Sequence, residues 1–122
     1  MVWVFLAGGT GAAFRVALVP LLDARLESVL PSAGTLAVNV LGCLAIGVGA
    51  AALPEGSLRP ILLGGLLGGF TTYSAFGLLA HTHAQQGRYG VFAAQVLLHV
   101  VLGLLAVGLG LWLGKSLAPA QP

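Results

Sequence analysis

The chain has 122 residues, of which five are lysine or arginine and three are aspartate or glutamate. Hydrophobic residues make up 58% and the mean hydropathy is +1.04, so the charged fraction of 7% is far below the roughly 25% of water-soluble domains. This composition excludes a disordered chain, a disulfide scaffold (there is one cysteine) and a nucleic-acid binder, since the basic residues are scattered singly. It indicates a protein that lies inside a bilayer.

Four stretches are long enough to cross a hydrocarbon core of about 30 Å, which requires ~20 apolar residues in a helix. We predict an all-α membrane domain over residues 1–122, with spans at about 2–22, 33–53, 60–80 and 91–114. No basic residue precedes the first apolar stretch, which disfavours a cleaved signal peptide. The predicted loops are Asp23–Ser32, Pro54–Arg59 and His81–Gly90.

Four spans place both termini on one side of the membrane. That side carries Arg59 and Lys115, whereas the other carries Arg25 and Arg88. Positive residues normally mark the cytoplasmic side, so a balance of two against two fixes no orientation. Either other signals set the topology, or copies insert in both directions and pair as an antiparallel dimer.

Polar residues within the spans need a reason, because they are costly in lipid. In the first span, the Arg15 side chain either extends to the membrane interface or raises the electrostatic potential at a pore mouth, where it would attract an anion. In the second span Thr35 and Asn39 are four residues apart, as are Gln95 and His99 in the fourth. Residues at this spacing share a helical face, so they form either interhelical contacts or a hydrophilic path.

The third span places its weakest helical sequence at its midpoint. Gly64, Gly65, Gly68 and Gly69 precede a segment rich in hydroxyls, comprising Thr71, Thr72 and Ser74. The sequence therefore indicates a helix break that lines a cavity, or else a tightly packed glycine helix with hydroxyls bonded to its own backbone. Tyr73 and Phe76 follow on one face, and the positive edges of their rings suit an anion.

No aspartate or glutamate falls inside a predicted span. A proton-coupled exchanger ordinarily needs such a group, so a small four-helix multidrug exporter is the weaker alternative. A non-transporting assembly subunit would explain the glycines but not the concentrated polar break. No arrangement of side chains suggests an enzyme. A polar and uncharged path suits the passive movement of a small anion.

Three segments resemble the Fluc (CrcB) family of fluoride channels. They are Gly8–Arg15, Gly34–Gly42 and Gly68–Phe76, in this order on successive spans. The resemblance implies an antiparallel, dual-topology homodimer with two fluoride pores in the bacterial inner membrane. It also implies passive, fluoride-selective export that lowers fluoride toxicity, and a structural sodium ion at the dimer centre.

The resemblance also assigns residues. The family's pore asparagine corresponds to Asn39, and its two pore phenylalanines correspond to Tyr73 and Phe76, the first of which is here a tyrosine. The first-helix arginine corresponds to Arg15. The complete candidate pore comprises Asn39, Tyr73, Phe76, Thr72, Ser74, Arg15, Thr35, Gln95 and His99. The main-chain carbonyls of Gly68 and Thr71 would bind the sodium ion. Gln95 and His99 depart from the smaller residues that are usual on the family's fourth helix.

Overall fold

A computed structural model describes residues 1–118, and the last four residues of the predicted domain, 119–122, lie outside the described part. Four helices are long and apolar enough to cross a membrane. We label them α1 (Val2–Leu26), α2 (Ala33–Ala52), α3 (Pro60–Gln85) and α4 (Tyr89–Leu117). At 1.5 Å per residue even α2, with 20 residues, reaches about 30 Å. The predicted all-α membrane architecture is confirmed.

Three helix ends extend into two of the predicted loops. α1 continues to Leu26 and α3 continues to Gln85, so residues 23–26 and 81–85 are helical rather than loop. α4 likewise begins at Tyr89. The predicted boundaries were wrong because polar residues mark where lipid ends, whereas backbone hydrogen bonds continue beyond that point.

A carboxylate that was predicted to begin a loop belongs to the end of a spanning helix. Asp23 is in the last turn of α1, and its Oδ1 accepts a hydrogen bond from the Gly34 N–H at 2.7 Å. Gly34 is in the first turn of α2, where backbone N–H groups have no partner within the helix. Asp23 therefore joins the C-terminal end of α1 to the N-terminal end of α2, and is not a group at the middle of either helix.

Glycines determine how closely the helices pack. α2 and α4 run parallel, and a Cβ on Gly47 or Gly110 would collide with a backbone carbonyl oxygen of the opposite helix. α1 and the first half of α3 meet in the same way, because a Cβ on Gly11 would collide with the Leu66 carbonyl and one on Gly69 with the Gly8 carbonyl. Contacts between small residues of this kind are a main source of helix association in lipid.

Candidate functional site

The third helix is interrupted at Thr71 and Thr72. Thr71 has ψ 160° and Thr72 has φ −152° and ψ 116°, which are extended backbone angles between two helical segments. The first segment is π-helical over Pro60–Leu67 and α-helical over Gly68–Phe70, and the second is α-helical over Tyr73–Gln85. The glycines before the break and the β-branched threonines within it both favour this departure from the helix.

The backbone of the break is completed by a side chain from α2. Asn39 Nδ2 donates to the Thr72 carbonyl oxygen at 2.9 Å, and the Thr72 N–H donates to Asn39 Oδ1 at 2.8 Å. The backbone N–H and C=O of Thr72 are therefore both paired with the side-chain amide of Asn39. Unpaired backbone groups at membrane depth cost several kcal/mol, so this pairing is what makes the break tolerable.

One further hydrogen bond redirects a backbone group beside the break. The Ala75 N–H donates to Thr72 Oγ1 at 3.1 Å, so Thr72 is the N-cap of the second segment. In a continuous helix Thr72 N–H would bond to the Gly68 carbonyl and Ala75 N–H to the Thr71 carbonyl. Since Asn39 and the Thr72 hydroxyl take these donors, the carbonyls of Gly68 and Thr71 lose their usual helical partners.

Arg15 reaches the same region from α1. Its Nε donates to the Gly69 carbonyl oxygen at 3.3 Å, and the side chain is half-buried. Arg15 is therefore engaged with the backbone beside the break instead of extending freely to the interface. This hydrogen bond joins α1 to α3 three residues before Thr72.

A cavity of about 300 Å³ lies beside the break, between α2, α3 and α4. The lining residues with polar or aromatic groups are Asn39, Cys43, Thr71, Thr72, Tyr73, Phe76 and His99. Asn39 uses one of its two amide N–H groups on Thr72, which leaves the second as a donor. The cavity thus combines hydrogen-bond donors with aromatic rings, and none of the described residues that line it carries a full charge.

The aromatic rings in this cavity form a chain of contacts. Tyr73 and Phe76 meet edge to face with ring centroids 5.5 Å apart and an interplanar angle of 65°. The Phe76 ring stacks on the His99 imidazole, with centroids 4.2 Å apart and an angle of 31°. The edge of an aromatic ring carries partial positive charge. Because His99 covers one face of Phe76, the edge of the Phe76 ring remains available to an anion.

Several candidate pore residues lie elsewhere. Gln95 is fully buried, and its Nε2 donates to the carbonyl oxygens of Pro31 at 2.7 Å and Ser32 at 3.3 Å, so it holds the α1–α2 loop. Thr35 is buried outside the cavity lining, and Ser74 shares a 3.2 Å hydrogen bond with the Thr72 hydroxyl. Cys43 also lines the cavity and was not among the candidate pore residues; its place one turn after Asn39 is the signal in the sequence that could have indicated it.

Four membrane-spanning helices with a polar, aromatic cavity at an interrupted helix define a small multi-pass membrane transport protein. A model of the CrcB family, described as "CrcB-like protein, Camphor Resistance (CrcB)", matches residues 2–111. The chain belongs to the CrcB family, as the sequence motifs predict.

Relatives extend over nearly the whole chain. A protein of Paracoccus denitrificans is 45% identical over 117 residues, covering 93% of both chains. One of Methylobacillus flagellatus is 41% identical, covering 92% of this chain and 91% of the relative, and one of Phocaeicola vulgatus is 37% identical, covering 92% and 95%. All three are named fluoride-specific ion channel FluC. These names belong to channels, not to enzymes or multidrug exporters, so the exporter alternative has no support.

Proposed function

We propose that this protein is a passive, fluoride-selective channel of the bacterial inner membrane that lets cytoplasmic fluoride leave the cell. The observation that carries the proposal is the cavity at the α3 break, which offers neutral donors and aromatic edges in a chain whose relatives are named fluoride channels. Fluoride enters cells as the neutral acid and dissociates inside. An inside-negative potential then favours the exit of the anion by ~2.3 kcal/mol per charge at 100 mV.

The cavity's chemistry suits a small, strongly hydrated anion. The second amide N–H of Asn39 is a donor that replaces part of the water shell, and the Thr72 hydroxyl is a further donor when Ser74 donates to it across their 3.2 Å hydrogen bond. The Thr71 hydroxyl donates to the Leu67 carbonyl at 3.0 Å, so its proton is already used. The ring edges of Tyr73 and Phe76 add weak positive contacts from which the ion can be released.

We further propose that the working unit is an antiparallel homodimer with two pores. Tyr73 lines the cavity but is 83% exposed in the single chain, so one wall of the cavity lacks a cover that a second copy would supply. The balance of basic residues at the two ends of the helices favours insertion in both orientations. Two copies related by a twofold axis in the membrane plane would bring their α3 breaks together.

The break also suits a structural sodium ion between the two copies. The Gly68 and Thr71 carbonyls have lost their helical donors, and Gly68 is exposed on the surface of the single chain. Carbonyl oxygens are the ligands that hard cations prefer, and two pairs would supply four. Such an ion would neutralise carbonyl dipoles at the interface and would not take part in fluoride movement.

Native mass spectrometry of protein purified in sodium-containing detergent buffer tests the dimer and the ion together. We expect a species of two 12.3 kDa chains that retains one sodium ion. Gly68→Pro, which distorts the backbone at one proposed ligand, should lose the ion, whereas Gly108→Ala, at a glycine in open space, should keep it. A monomer would contradict the dimer proposal. A dimer whose mass never includes sodium would contradict the proposal of a structural ion.

Flux from liposomes tests the function directly. Purified protein is reconstituted into vesicles loaded with potassium fluoride or potassium chloride, and anion release is followed with ion-selective electrodes. We expect rapid fluoride release that depends on valinomycin, because an uncoupled channel needs a counter-ion path, and no comparable chloride release. Fluoride release without valinomycin would indicate coupled transport, and no release from a verified dimer would remove the channel proposal.

A further inference from the structure

His99 is held in a defined orientation by two contacts. Its Nδ1 lies 2.8 Å from the Gln95 carbonyl oxygen, and its ring stacks on Phe76. A carbonyl oxygen only accepts hydrogen bonds, so Nδ1 carries a proton. The neutral imidazole therefore has its lone pair on Nε2.

His99 Nε2 is buried and has no hydrogen-bond partner among the described residues. The ring belongs to the wall of the cavity that contains Asn39 and Phe76. The other titratable groups facing this cavity are the Cys43 thiol from α2 and the Tyr73 phenol from α3. No lysine, arginine, aspartate or glutamate of the described chain lines it.

We infer that His99 is an anion-binding residue of the fluoride pathway whose protonation turns Nε2 from an acceptor into a donor, so that fluoride conduction rises in acid. The inference rests on the proposed channel function. In the neutral form the Nε2 lone pair repels fluoride and accepts from water. Uptake of one proton from solution gives an imidazolium with Nδ1–H on Gln95 and Nε2–H free for the anion.

The stacked ring strengthens this effect. An imidazolium over the face of Phe76 is attracted by that face and draws electron density from the ring. The edge hydrogens of Phe76 then become more positive where they meet an anion. One protonation therefore improves two of the contacts in the cavity, while the pathway remains open to fluoride in the neutral form.

Current through the reconstituted protein in planar bilayers measures this, since hydrogen fluoride that crosses the lipid is neutral and carries none. With the same fluoride concentration on both sides, we expect fluoride current to rise about tenfold from about pH 8 to about pH 5. His99→Gln keeps a polar side chain that cannot be protonated, and its current should be independent of pH. The chain offers matched controls in His81→Gln, an exposed site, and His83→Gln, a buried site outside the cavity lining; both should keep the wild-type response.

A second readout does not depend on a folded variant. Because linkage is reciprocal, fluoride should raise the pH midpoint of the Nε2 nitrogen-15 signal of His99 in labelled wild-type protein, whereas chloride should not. A pH-independent wild-type current, a His99→Gln current that still responds to pH, or a midpoint unmoved by fluoride would overturn the inference. If the wild-type protein carried no fluoride current at any pH, the proposed channel function itself would be rejected.

Discussion

Replacing Asn39 with aspartate is expected to lower fluoride flux by about 100-fold, because repulsion between a carboxylate and an anion in the same cavity adds about 3 kcal/mol to the barrier. The new carboxylate has nearly the shape of the amide but cannot donate to the Thr72 carbonyl, which Asn39 does at 2.9 Å. It also removes the second amide N–H from the cavity and opposes an anion there. Initial efflux from liposomes, compared at equal amounts of folded protein, measures the effect.

Gln95→Glu is the matched control, since it makes the same change of amide to acid on a buried side chain. Gln95 donates to the Pro31 and Ser32 carbonyls and lies outside the cavity lining. We expect this variant to unfold at a lower temperature, with the loss of about 1–3 kcal/mol that accompanies an unpaired buried group. The fluoride flux and selectivity of its folded fraction should be unchanged. Equal flux losses in the two variants would mean that Asn39 acts only on folding.

Replacing Phe76 with isoleucine should lower fluoride flux by about 30-fold, because roughly 2 kcal/mol of aromatic contact is lost. Isoleucine fills similar space but has no ring edge for the anion, and it removes the stacking with His99 and the edge contact with Tyr73. The cavity would become apolar on that side, so fluoride would have to shed water without compensation. Single-channel current and liposome efflux both report the change.

Phe5→Ile provides the comparison at a ring that does not line the cavity. Phe5 lies on α1 and is 79% exposed, so the same substitution there should leave fluoride flux within about twofold of wild type. Phe76→Tyr should retain most of the flux because it keeps the ring and its edge. If Phe76→Ile conducted like the wild-type protein, the aromatic contacts would have no part in the pathway.

The number of spans and the position of the break could be predicted from sequence because both depend on local composition. Long uncharged stretches indicate spans, and glycines followed by threonines indicate where a helix is weakest. The helix ends could not be predicted in this way, since residues 81–85 are polar enough for a loop yet continue α3. Hydropathy reports the lipid boundary and does not report the hydrogen bonds that extend a helix past it.

The partners of the polar residues depend on contacts between distant parts of the chain. Asn39 and Thr72 are 33 positions apart, and no spacing rule indicates that one amide completes both bonds of that peptide. Gln95 and His99 share a helical face as predicted. The Gln95 side chain nevertheless bonds to Pro31 and Ser32 in the α1–α2 loop, which lie 64 and 63 positions earlier in the chain. Only the packing of α2 against α4 determines which of the two enters the cavity.

The pairing of Asn39 with Thr72 has a consequence for biogenesis. A third helix released alone into lipid would expose the unpaired N–H and C=O of Thr72, at a cost of several kcal/mol, and isolated α2 would expose the Asn39 amide. Asn39 of α2 supplies the hydrogen-bonding partners that the Thr72 backbone of α3 needs, and Thr72 supplies those of the Asn39 amide. The two should therefore leave the insertion machinery as a hairpin joined by residues 53–59, with the interruption formed before either helix meets the bulk membrane.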